Sequence, residues 1–91
     1  MAKILVIDDE RAIRNTLKEI LEFEGYTVEV AENGRIGLER ALSNAFDLIF
    51  TDIKMPEMDG MEFLQAYHEG MTQQNSEEAP VVVITGHGSV D

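Results

Sequence analysis

Apolar residues first gather at Ile4-Leu5-Val6-Ile7, inside a run over residues 3–7 that Asp8-Asp9-Glu10 ends abruptly. An unbroken run rich in Ile and Val suits a strand buried on both faces of a parallel sheet. Ile13, Leu17, Ile20 and Leu21 then recur at i, i+4, i+7 and i+8. That spacing predicts one stripe of an amphipathic helix, with Gly25 as its stop. Tyr26-Thr27-Val28-Glu29-Val30 alternates and reads as a short strand nearer the sheet edge. Asn33-Gly34 marks a turn, and Leu38, Ala41 and Leu42 give a second helix, weakened by Gly37.

Asp47 precedes a third strand, Leu48-Ile49-Phe50-Thr51, which ends at Asp52. Residues 53–60 hold Pro56 and Asp59-Gly60, so they form a loop, with Asp59-Gly60 turning into the next helix. Met61, Leu64 and Tyr67 line that third helix, which Gly70 is expected to close. Residues 71–79 are polar and read as a flexible connection. Pro80 introduces a fourth buried strand, Val81-Val82-Val83-Ile84, ending at Thr85. The order β-α-β-α-β-α-β predicts an α/β fold with a parallel sheet and right-handed crossovers.

Composition narrows the picture. A chain of 91 residues is one small domain, and at that size roughly 60–65% of the unfolded surface is buried, so the core is marginal. The absence of Cys rules out disulfides, and points to a reducing, cytoplasmic location. The apolar start is too short for a signal peptide, and no run approaches a membrane span, so the protein is expected to be soluble with no membrane partner. The 18 acidic against 7 basic residues give a net charge of -11. Such a surface repels phosphates, so this segment is not expected to bind nucleic acid.

Sites in open α/β sheets form beyond the carboxyl ends of the strands. Those ends carry Asp8-Asp9, Asp52 and Thr85. Three carboxylates and a hydroxyl are thereby expected to converge, and like charges so close are costly unless a cation joins them. Only oxygen ligands are present, with no His or Cys at metal spacing. That favours a hard ion, Mg²⁺ first, with Mn²⁺ or Ca²⁺ as alternatives.

Four segments, in this order and spacing, resemble the receiver domain of two-component response regulators: Val6-Ile7-Asp8-Asp9-Glu10, Asp47 to Asp52, Met55-Pro56-Glu57-Met58-Asp59-Gly60, and Val83-Ile84-Thr85-Gly86. The resemblance covers all 91 residues. The ending Ile84-Thr85-Gly86-His87-Gly88 is also similar to receivers of enhancer-binding transcription activators. The resemblance implies a flavodoxin-like three-layer sandwich with strand order 2-1-3-4. It implies that Asp52 accepts a phosphoryl group from a phospho-His of a sensor histidine kinase. Asp9 would be a direct metal ligand together with an oxygen of Asp52, Asp8 would act largely through water, and the backbone carbonyl of Lys54 would be the third protein ligand. Thr85 would hydrogen-bond the phosphoryl group and couple it to a conformational change. Such a domain assists its own phosphorylation and dephosphorylation and is not a classical enzyme.

The family has two markers beyond the fourth strand, a Lys ending a fifth strand and an aromatic within it. The expectation is therefore an N-terminal portion, residues 1–91, lacking the fifth strand and last helices. Without that Lys a positive charge is missing from the transition state, and phosphotransfer is expected to be slow or absent. An uncovered fourth strand would favour self-association. The alternative function is thus an inactive fragment that only binds metal or a partner.

Two other readings fit less well. A phosphatase of the haloacid dehalogenase type needs a second Asp two residues after the nucleophile, where this chain has Lys54. A flavodoxin-like cofactor binder needs a hydroxyl- and Gly-rich loop after the first strand, where this chain has Asp8-Asp9-Glu10. Simpler roles compete at single residues. Asp8 and Asp9 could merely cap the first helix. His87 and His68 read as solvated, Met55, Met58 and Met61 as local packing, and Glu22, Glu24, Glu29 and Glu32 as an acidic face.

Overall fold

The structure, a computed structural model, describes residues 2–84. Its elements run β1 (Lys3–Ile7), α1 (Arg11–Phe23), β2 (Thr27–Ala31), α2 (Gly34–Ser43), β3 (Leu48–Asp52), α3 (Gly60–Gln74) and β4 (Val81–Ile84). All strand pairs are parallel, and the order is β2-β1-β3-β4. This is the expected flavodoxin-like three-layer arrangement. No helix among the described residues is long and apolar enough to cross a membrane.

Strand alternation divides the core between two faces. Leu5, Ile7 and Ile49 point to one face and meet Ala41 of α2 and Phe63, Tyr67 and Met71 of α3. Ile4, Val6 and Val28 point to the other, where Leu17 and Leu21 of α1 cover them. The central strand β1 is buried from Ile4 to Ile7, as its continuous apolar run requires.

The first helix stops as its glycine predicts: Tyr26 N–H reaches the Leu21 carbonyl and Gly25 N–H the Glu22 carbonyl, closing the last turn. Several local expectations need correction. Ile20 is 53% exposed rather than part of the buried stripe. The helix is seated over β1 and β2 through Leu17 and Leu21, and Ile20 overhangs at the margin. Gly70 does not close the third helix, which continues to Gln74 and ends at Asn75 in the left-handed conformation (φ 58°). Gly70 instead permits close approach of two helices: a Cβ there would stand 2.7 Å from Leu42 Cδ2 of α2. Continuing the helix also brings Met71 into the core.

Residues 75–79 are tethered rather than free, because Ala79 is buried and its N–H donates to the Tyr67 hydroxyl at 2.8 Å. His68, exposed as expected, contacts Glu78 across the same connection. β4 is not a fully buried strand: Val82 is exposed and its neighbours half-buried. Among the described residues it pairs only with β3. Glu29 belongs to no purely solvated face, since it pairs with Lys3 at 3.1 Å and Arg40 at 3.7 Å. Met55 and Met58 lie against the core, whereas Met61 is exposed.

Candidate functional site

The sheet order reverses between β1 and β3, and the site lies just beyond their carboxyl ends. β1 delivers Asp8 and Asp9, and β3 ends in Asp52. Carboxylate oxygens of Asp8, Asp9 and Asp52 all lie within 4.8 Å of one another. Asp8 and Asp52 are buried, at 4% and 1% exposure, while Asp9 faces solvent.

Local hydrogen bonds set the acids in place. Asp8 Oδ1 accepts the Glu10 N–H at 2.8 Å. Asp52 Oδ1 accepts the Ile53 N–H at 2.8 Å. The Thr51 hydroxyl, fully buried, donates to the Asp52 carbonyl at 3.0 Å. Neither Asp8 nor Asp9 caps α1; its N-cap is Glu10, which makes no side-chain capping bond. Burial pushes the Asp8 carboxyl above its usual range. The Glu10 N–H works against this, and the charges of Asp52, Asp9 and Glu10 add to it.

The loop after β3 curls back on the site. Gly60 N–H donates to the Ile53 carbonyl at 2.9 Å. A Cβ on Gly60 would stand 2.4 Å from the Asp52 carbonyl oxygen, so only glycine lets α3 begin this close to β3. Asp59-Gly60 is indeed structural: Asp59 and Glu62 form a reciprocal capping box at the start of α3. Glu57 is held at φ 71°, a conformation that costs a non-glycine residue about 1 kcal/mol, and its carboxylate pairs with Arg35 of α2 at 3.1 Å. Lys54 lies in this loop with an exposed side chain. Thr85 and His87 lie outside the described residues. Beside the acids a cavity of about 340 Å³ opens between Ala12, Thr16 and Leu17 of α1 and Ile84 of β4.

The donor set fits a hard divalent ion. All three side chains offer oxygen, and ligand oxygens on opposite sides of such an ion lie roughly 4–5 Å apart. A cation there would offset the repulsion and desolvation that raise Asp8.

The sequence profile of the response regulator receiver domain matches residues 4–91. The chain belongs to that family. The receiver domain is 36% identical over 88 residues to response regulator MprA of Mycolicibacterium vanbaalenii, covering 97% of this chain and 36% of that protein. It is 37% identical over 89 residues to the transcriptional regulatory protein CpxR of Escherichia coli K12, covering 98% of this chain and 35% of that protein. The receiver domain thus spans about a third of the length of these curated relatives. Among solved structures, chemotaxis protein CheY4 of Vibrio cholerae superposes with a TM-score of 0.83 and 37% identity, over 98% of this chain and 72% of that one. The receiver domain of histidine kinase CKI1 from Arabidopsis thaliana, complexed with Mg²⁺, gives a TM-score of 0.87 at 25% identity, over 99% of this chain and 71% of that one.

Two contributors to the receiver domain's site escape a reading by motif. Along the chain Gly60 reads only as a turn residue, whereas its role is close approach to Asp52. Arg14 donates to the Asp8 carbonyl at 2.7 Å. The signal for it was a cation-rich helix start, with Arg11 and no acid in the first turn of α1, against the preference of the helix dipole.

Proposed function

We propose that this receiver domain accepts a phosphoryl group on Asp52 from a phospho-His of a sensor histidine kinase, with Mg²⁺ held at the three acids. The observation that carries this reading is the convergence of Asp8, Asp9 and Asp52 within 4.8 Å at the strand ends. An oxygen of Asp52 attacks phosphorus in line, the P–N bond to the imidazole breaks, and an acyl phosphate forms. Asp9, Asp52 and the Lys54 carbonyl would hold the ion, with Asp8 acting through water; Mn²⁺ or Ca²⁺ could take its place. The bound ion supplies charge neutralisation for three phosphoryl oxygens and the attacking carboxylate. The Asp52 side chain is oriented by the Ile53 N–H. Thr85, the residue after β4, donates its hydroxyl to the phosphoryl group and reports its arrival.

The test incubates the 91-residue chain with Mg²⁺ and acetyl phosphate and follows its intact mass. One phosphoryl increment, absent in Asp52→Asn, is the expected result. Mg²⁺ binding without any increment would leave the domain as a metal-binding or interaction module. Beryllofluoride binding, read by fluorine NMR, separates a correctly shaped pocket from a reactive one.

A second proposal concerns association. Among the described residues β4 pairs only with β3, and Val82 is 42% exposed; an edge of this kind can pair with another chain. Sedimentation should show dimers growing with concentration; a monomer throughout the range would refute it.

A further inference from the structure

Asp8 is anchored at three atoms. Its N–H donates to the Ala31 carbonyl of β2 at 3.1 Å. Its Oδ1 accepts the Glu10 N–H at 2.8 Å. Its carbonyl accepts from Arg14 Nη1 at 2.7 Å. The first two bonds are backbone or near-neighbour contacts. The third commits a cation to a neutral acceptor, in a chain with 18 acidic residues. Arg14 is half-buried, and no ion pair of it occurs among the described residues. A guanidinium keeps its charge at any ordinary pH, and its bond to a carbonyl is stronger than a neutral one.

Capping adds little to this loop. Glu10 makes no side-chain cap, and the first turn of α1 holds no acidic residue. The β1–α1 loop is tied to α1 through Arg14 instead. We infer that Arg14 is a positioning residue: by clamping the Asp8 carbonyl it holds Asp8 and Asp9 at the span of one divalent cation from Asp52. This inference rests on the proposed reading of the three acids as a metal centre.

The sign of the effect separates positioning from simple charge. If Arg14 acted only as a nearby positive charge, removing it would tighten cation binding, because a like charge leaves. If it positions the loop, removing it weakens binding, and loss of such an outer-shell partner costs about 10-fold or more in metal affinity.

The experiment titrates Mg²⁺ by calorimetry into the full chain and its variants, with NMR amide shifts of Asp8 and Asp9 recorded before metal is added. Arg14→Ala should raise the Mg²⁺ Kd roughly 10-fold and displace both amides. Arg14→Lys, which keeps a charged donor, should recover to within about 3-fold of the parent. Lys18→Ala, which removes a cation on the same helix that pairs with Glu22, should leave Kd unchanged. Equal or tighter binding by Arg14→Ala overturns the inference. So does a lowered metal-free melting temperature with no change in Kd. If Arg14→Ala fails to fold, Arg14→Gln takes its place under the same criteria. A parent chain that binds no Mg²⁺, or an Asp9→Asn variant that binds it equally well, instead removes the metal reading itself.

Discussion

At the amino end of the sheet, polar groups meet partners of opposite character: the Tyr67 hydroxyl accepts the buried Ala79 N–H, Asp47 accepts the Lys3 N–H, and Lys3 pairs with Glu29. At the carboxyl end, three carboxylates crowd within 4.8 Å, one of them raised by burial, and Glu57 is held in a left-handed conformation. The larger cavity, about 590 Å³, lies at the amino end beside Phe46, Tyr67 and Met71. Size therefore does not mark the site. What marks it is like charge that the rest of the fold holds together, and such local violations are expected where function is built.

The contrast can be broken from either end. The largest effect should come from Tyr67→Ala at the amino end, where a fully buried ring stacked 5.7 Å from Phe63 is lost. A loss of about 3–5 kcal/mol is expected in urea unfolding. Tyr67→Phe, which leaves only the Ala79 N–H without its partner, should cost about 1–2 kcal/mol and keep the parent Mg²⁺ affinity. If Tyr67→Phe weakens Mg²⁺ binding, the two ends are not independent.

Gly60→Ala tests the carboxyl end with a smaller stability cost, about 1–3 kcal/mol. Its Cβ would press on backbone at Asp52 and Ile53, which cannot rotate away. Mg²⁺ affinity and stability should therefore fall together, unlike in Tyr67→Phe. Unchanged affinity would show that Asp52 does not depend on this contact.

The smallest effect should have the opposite sign. Burial lifts the Asp8 carboxyl above its ordinary value of 3.8, so the folded metal-free chain holds that proton more tightly than the unfolded one. Its favourable contribution is present at low pH and declines as pH rises from 3.8 through the raised value. Asp8→Asn keeps an acceptor for the Glu10 N–H and removes that decline. The metal-free variant should melt higher at neutral pH and gain less from Mg²⁺. A lower melting temperature would mean that the Asp8 charge has a compensating partner.

The fold was largely legible because its signals are periodic. The buried run of β1, the alternation near β2, which the structure shifts by one residue to Thr27–Ala31, and the acids ending β1 and β3 all follow from spacing. Gly25 marks a true stop, since nothing beyond it continues the stripe. Gly70 defeats the same rule, because α3 runs through it to Gln74. A glycine that ends a helix and a glycine that lets Leu42 approach look alike along the chain.

Residue order alone determined which groups are acidic, which are apolar and at what period they recur, and these are intrinsic to each side chain. Only the tertiary structure decided how far α3 runs, that Ala79 is captured by Tyr67, and that Arg14 serves a carbonyl rather than a carboxylate. Those outcomes depend on groups distant in sequence or on competition among several nearby partners, and no local pattern encodes which partner arrives first in space.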